Sequence, residues 1–176
     1  MTEYYLAVFG ADGVGRSSLI QQFIQNRYSV STRQWFTIDG ERCLARVTDL
    51  ANDYPLPLRE QVLHISQGYL CIYSVSSRSS YDEVMSLREE IRSKVGEKRS
   101  IVIVGNKCDL DEDREVTLTE GENLAALYGC PMFESSAKNS INIEGPFFEL
   151  IREIRKNQLI ENDIQKRRNG TRCSLF

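Results

Sequence analysis

The chain has 176 residues, enough for one domain with a sizeable core, and its 41% hydrophobic and 27% charged content is ordinary for a globular fold. A net charge of −3 argues against nucleic acid as a partner, and no apolar run approaches the ~20 residues that cross a bilayer. The opening "MTEYYLAVF" reads as a strand rather than a signal peptide, and five scattered cysteines without metal-ligand spacing suggest a reducing, intracellular setting.

Tyr4 to Phe9 is a short apolar run ending at glycine, the pattern of a buried strand. "GADGVGRSS" (10–18) follows, fitting the phosphate-loop pattern G-x-x-x-x-G-[KR]-S with Arg16 at the usual lysine position. A helix with Leu19, Ile20, Phe23 and Ile24 on one face should come next. "TRQWFTIDGERCLARVTDL" reads as two strands around Asp39-Gly40, a dipeptide favouring a tight hairpin turn. "GYLCIYSV" (68–75) and "SIVIVGNK" (100–107) are continuous apolar runs, expected of strands covered on both faces. Between them Val84, Leu87, Ile91 and Val95 mark a helix face. Thr117 and Glu120 form a capping-box pattern before a helix ending near Gly129. "CPMFESS" is a last short strand, and Phe147, Leu150, Ile151 and Ile154 stripe the closing helix. The chain after about Ile164 reads as an unstructured tail. Strands alternating with helices imply a mostly parallel α/β sheet with one antiparallel hairpin strand.

In such a sheet ligands bind beyond the carboxyl ends of the strands. The stretches that carry chemistry, 10–18, 49–53, 106–109 and 135–138, all fall there. Asn106, Lys107 and Asp109 spell N-K-x-D after a buried strand. A carboxylate at 109 can accept from guanine's ring N–H and exocyclic amine, a donor pair that adenine lacks. Lys107 can lay its aliphatic stem along the base, and Asn106 can tie the loops together. Ser136, Ala137 and Lys138 form a second loop, in which the Ala137 N–H can donate to the guanine carbonyl.

With "MTEY", "IQN" (24–26), "IDGE" (38–41), "GNKCDL" (105–110), "ESSAK" (134–138) and "LIREIRK" (150–156) in place, the chain resembles a small GTPase of the Ras family over nearly its whole length. The resemblance implies an α/β P-loop NTPase fold with a mostly parallel six-stranded sheet and helices on both faces. Residues 1–164 are the expected guanine-nucleotide domain and 165–176 a flexible basic tail. It also implies GTP or GDP with Mg²⁺ as cofactors. Asp12, Gly13, Val14, Gly15, Arg16, Ser17 and Ser18 would face the phosphates, and Tyr28 would pack edge-on to guanine. Ser17 and Asp49 match the family's magnesium residues.

Several positions depart from the family. Arginine at 16 keeps the charge of lysine but is a planar fork with fixed donor directions, so weaker or altered phosphate binding is expected. Asp12 replaces a glycine and should project toward the γ-phosphate, where an activator's arginine would enter. "DLANDY" keeps Asp49 of D-x-x-G-Q, but Asn52 replaces the glycine and Asp53 the water-positioning glutamine, leaving no catalytic residue in place. The first switch is about eight residues short, roughly 26–29 Å of extended chain at ~3.3–3.6 Å per residue. The threonine that senses γ-phosphate falls in that gap. His64, the only histidine, reads as incidental.

The chain ends "CSLF", a prenylation box with Cys173 as acceptor and a final phenylalanine that favours geranylgeranyl. One lipid is a marginal anchor, and Lys166, Arg167, Arg168 and Arg172 supply a second, electrostatic signal. Three readings remain open: a prenyl-anchored guanine-nucleotide-binding signalling protein at the cytoplasmic face of a membrane with little or no hydrolysis, a slow but true GTPase with unusual regulators, and a membrane scaffold that binds no nucleotide.

Overall fold

The computed structural model describes residues 2–24, 33–51, 55–96 and 99–172, with side chains through residue 168. In chain order the elements are β1 (Thr2–Gly10), α1 (Arg16–Ile24), β2 (Arg33–Ile38), β3 (Glu41–Asp49), α2 (Leu56–Ile65), β4 (Gly68–Ser74), α3 (Arg78–Val95), β5 (Ser100–Asn106), α4 (Leu118–Tyr128), β6 (Met132–Glu134) and α5 (Glu144–Arg172). The strands form one sheet in the order β2-β3-β1-β4-β5-β6. Every described pairing is parallel except β2 with β3. That hairpin turns through Asp39 (φ 53°) and Gly40 (φ 81°), both left-handed, as its Asp-Gly sequence predicts.

The period of two along each central strand splits the core into two layers. Leu6 and Val8 of β1, with Leu70 and Ile72 of β4, face α1 and α5. Ala7 and Phe9, with Tyr69, Cys71 and Tyr73, face α2, α3 and α4. In the first layer Phe23 of α1 stacks on Phe147 of α5, ring centroids 3.9 Å apart. At the start of β4, Gly68 lets α5 approach the sheet: a Cβ there would sit 2.8 Å from both Leu150 Cδ1 and Ile154 Cδ1. Gly68→Ala should therefore cost about 1–3 kcal/mol through overpacking. Urea unfolding would report it as a lower midpoint at unchanged slope.

The capping box expected at α4 is present: Thr117 Oγ1 accepts from the Glu120 N–H, and Glu120 accepts from the Thr117 N–H. Gly129 closes the helix in the left-handed conformation at φ 63°. Hydrogen bonding from Arg78, then from the Thr117 backbone and hydroxyl, holds the Glu120 carboxyl down to about 2 from its ordinary 4.5. A depressed carboxyl stabilises the fold above its unfolded pKa, and that contribution is lost as pH falls from about 4.5 toward 2. Glu120→Gln should thus flatten the acid limb of a stability-versus-pH curve in that window. An acid limb identical to wild type would contradict the assignment.

The end of the chain differs from expectation. Residues beyond Ile164 were expected to be unstructured, yet α5 runs on to Arg172. Gln165, Lys166, Arg167 and Arg168 are good helix formers, and Asp163 precedes Lys166 and Arg167 at the i,i+3 and i,i+4 spacings that favour acid before base.

Candidate nucleotide-binding site

The parallel register brings the loops after β1, β3, β5 and β6 to one end of the sheet, Val8 lying opposite Asp49 and Ser74 opposite Asn106. At the end of β5, Asn106 is buried, and its side chain joins three loops. Its Nδ2 donates to the Val14 carbonyl at 2.8 Å, and its Oδ1 accepts from the Ala137 N–H at 3.4 Å. Gly15 makes this approach possible: at φ +94°, a Cβ there would lie 2.5 Å from Asn106 Nδ2. The Ala137 N–H, expected to point at guanine, instead has this long bond to Asn106.

Lys107 adopts a left-handed backbone (φ 62°), a strained choice for a lysine of the kind found at binding sites. The turn it starts is closed by the Leu110 N–H to the Lys107 carbonyl at 2.9 Å, and the Cys108 N–H donates to Ser135 at 3.1 Å. The Ser136 hydroxyl donates to Asp109 Oδ1 at 2.5 Å, orienting that carboxylate and leaving its other oxygen without a protein donor among the described residues. Lys138 is exposed beside this loop. The loop expected to read guanine thus presents a carboxylate from a hydrogen-bonded turn.

The phosphate loop has a different character. A cavity of about 380 Å³ is lined by Gly13, Gly15, Arg16, Ser17, Ser18 and the Lys107 side chain, among others. Helix α1 starts there, its backbone N–H groups favouring an anion. Arg16, however, is only 8% exposed and turned inward. Its Nε donates to Asp49 Oδ1 at 2.9 Å, and one terminal nitrogen donates to the carbonyls of Gly10 and Ala11, the latter at 2.8 Å. The other terminal nitrogen lies 3.4 Å from Asp12 Oδ1, a side chain 80% exposed. The Ser17 hydroxyl donates to Asp49 Oδ2 at 2.5 Å. Ser17 and Asp49, the residues expected to face magnesium, are thus hydrogen-bonded to each other, with the Arg16 guanidinium beside them. A second cavity, about 410 Å³, opens at the start of β5 near Ser100, Tyr128 and Cys130, away from these loops.

Tyr28, Asn52, Asp53 and Cys173 lie outside the described residues, as do residues 25–32 of the stretch in which the shortened first switch is expected. His64 is exposed on α2, its Nδ1 2.8 Å from the Glu60 carbonyl oxygen in the same helix. One contact escaped the sequence reading. Arg59 of α2 is buried, donates to both oxygens of Glu90 on α3 at 2.8 Å, and reaches the Ala51 carbonyl at 3.3 Å. Hydrogen bonding to Glu90, against the cost of burial, raises its pKa above the ordinary value. This fork fastens the segment after Asp49 to the body of the fold. The only sequence signal for it is an arginine and a glutamate on helices adjacent in space.

Comparison with known proteins agrees with this geometry. A family model described as the Ras family matches residues 5–156. The "Ras-like protein rasB" of Dictyostelium discoideum is 44% identical over 165 residues, covering 88% of this chain and 83% of that protein. A "Ras-like protein" of Laccaria bicolor is 40% identical over 166 residues, 89% of this chain and 79% of its own length.

Proposed function

The chain belongs to the Ras family of small GTPases, and from that premise we propose that it is a membrane-tethered guanine-nucleotide-binding signalling protein whose GTP hydrolysis is slow or lost. The observation that carries this reading is the contrast between the two halves of the site. On the guanine side, Asn106, Lys107, Asp109, Ser136 and Ala137 are held in a ready arrangement by bonds within the protein. On the γ-phosphate side, Asp12 stands in place of glycine, Asp53 in place of the water-positioning glutamine, and Arg16 bonds the protein rather than reaching outward.

Members of the family bind GTP or GDP with Mg²⁺. The nucleotide would be held here by Asp109 and Lys107 on the base and by the loop of Gly13 to Ser18 on the phosphates. In the family, residues at the positions of Ser17 and Asp49 face the ion. An Mg²⁺ ion in this family neutralises charge on the terminal phosphates. The Asp53 carboxylate, shorter than glutamine and negative beside a polyphosphate, orients an attacking water poorly. The Arg59–Glu90 fork further holds Ala51, just before the segment that should reorganise with the γ-phosphate.

The test is to purify the protein without added nucleotide, denature it, and identify what is released. GTP unchanged over hours supports the proposal. GDP, with single-turnover phosphate release from loaded GTP, would point to a slow switch. Nothing released, together with no thermal shift on adding GDP or GTP, would leave a scaffold.

The membrane part of the proposal rests on the tail. Lys166, Arg167 and Arg168 are exposed on the last turns of α5, and Arg172 ends it. At ~1 kcal/mol per basic residue, four such charges contribute ~4 kcal/mol on an anionic leaflet, reinforcing one prenyl chain. With Phe176 as carboxyl terminus, mass spectrometry of protein from a eukaryotic host should find a geranylgeranyl group on Cys173 and "SLF" removed. Unmodified Cys173 with "SLF" intact would end this part.

A further inference from the structure

We infer that Arg16 is the resident counter-cation of the phosphate site, neutralising Asp49 where the family uses a metal ion, so that this chain retains guanine nucleotide independently of divalent cations. The inference rests on the nucleotide-binding reading above and deepens it.

The donor inventory supports it. A guanidinium has five N–H donors. In Arg16 the Nε–H goes to Asp49 and both hydrogens of one terminal nitrogen go to the Gly10 and Ala11 carbonyls, while the second terminal nitrogen faces Asp12. One hydrogen remains. Asp49 is equally engaged, since Oδ1 takes Arg16 and Oδ2 takes the Ser17 hydroxyl. A lysine could not make this set, because its three donors radiate from a single atom and cannot span two loop carbonyls and a carboxylate on the next strand. The arginine is thus the specific feature that converts the corner.

For a metal ion to take Asp49 Oδ1 as a direct ligand, Asp49 would have to release Arg16. That would leave a guanidinium only 8% exposed without its carboxylate, and it would set a divalent charge beside that positive group. Mg²⁺ is ill suited to the exchange, since it demands near-octahedral oxygen ligands and sheds water reluctantly. Meanwhile Arg16 still lines the cavity at the start of α1, so its positive charge stands beside the place the phosphates would occupy. Charge compensation comes from the chain itself.

The test is dissociation of fluorescently labelled GDP from the full chain, in millimolar Mg²⁺ and after excess EDTA. Chelation should change the wild-type release rate by less than about threefold, and that of Arg16→Lys by more than about tenfold. A parallel electron paramagnetic resonance titration with Mn²⁺ reads the metal directly. The wild-type GDP complex, freed of excess nucleotide, should hold no tight Mn²⁺, and the Arg16→Lys complex should hold one. EDTA-accelerated release from wild type matching that of the variant, or tight Mn²⁺ on the wild-type complex, would overturn the inference while leaving nucleotide binding intact. Failure of wild type to retain GDP in either medium would remove the nucleotide reading and this inference with it. If Arg16→Lys does not fold, the two wild-type measurements decide alone.

Discussion

An arginine-donating activator of the Ras type will raise GTP hydrolysis by this chain less than about tenfold, against the roughly 10³–10⁵ that such an arginine supplies in Ras itself. Two features would produce this insensitivity. Asp12 stands on the exposed lip of the phosphate loop, 80% exposed, where an incoming guanidinium would meet a carboxylate before any phosphate. On the proposed reading Asp53 takes the place of the glutamine that would align water for the arginine's transition state, so even a well-placed arginine would stabilise a poorly assembled one. Single-turnover phosphate release with and without activator measures the effect. A rise near a thousandfold would refute the account of both aspartates.

Asp109→Ala should weaken GDP binding by about 10²–10⁴. On the proposed function its carboxylate would accept two charge-assisted hydrogen bonds from guanine, each contributing about 1.5–3 kcal/mol, for about 3–6 kcal/mol in all. The effect on the fold should be smaller. Asp109 is half-buried, and its partner Ser136 would lose one acceptor, a cost of about 1 kcal/mol. Calorimetric titration of GDP, paired with thermal melts of the nucleotide-free proteins, separates the two effects. A dissociation constant within a few-fold of wild type would mean that Asp109 does not read the base. Equal losses for adenine and guanine nucleotides would say the same.

The guanine side was the most legible part of the site. N-K-C-D and S-S-A-K are local words, and each carries its chemistry on a turn whose shape follows from residues next to it. The structure supplied the reason the two words work together: Asn106 reaches both Val14 and Ala137. The phosphate side was legible only as a departure. That arginine replaces lysine is plain in the sequence, but whether its fork points outward or back depends on Asp49, which lies beside it because β1 and β3 pair with Val8 opposite Asp49. The Arg59–Glu90 fork was hidden for the same reason, its partners being separated by a strand and two turns. The extension of α5 was missed through the opposite error. Propensity and charge order there favour a helix that needs no buried face.

By itself, the sequence determined the order of strands and helices, the hairpin at Asp39-Gly40 and the cap at Thr117, and it singled out the N-K-C-D and S-S-A-K loops. All of these depend on periodicity, backbone preference or groups a few residues apart. Only the tertiary structure decided what Arg16 does. Its four protein bonds reach partners on its own loop and on a parallel strand 33 residues away. A short, directional hydrogen bond depends on where the fold sets both of its ends.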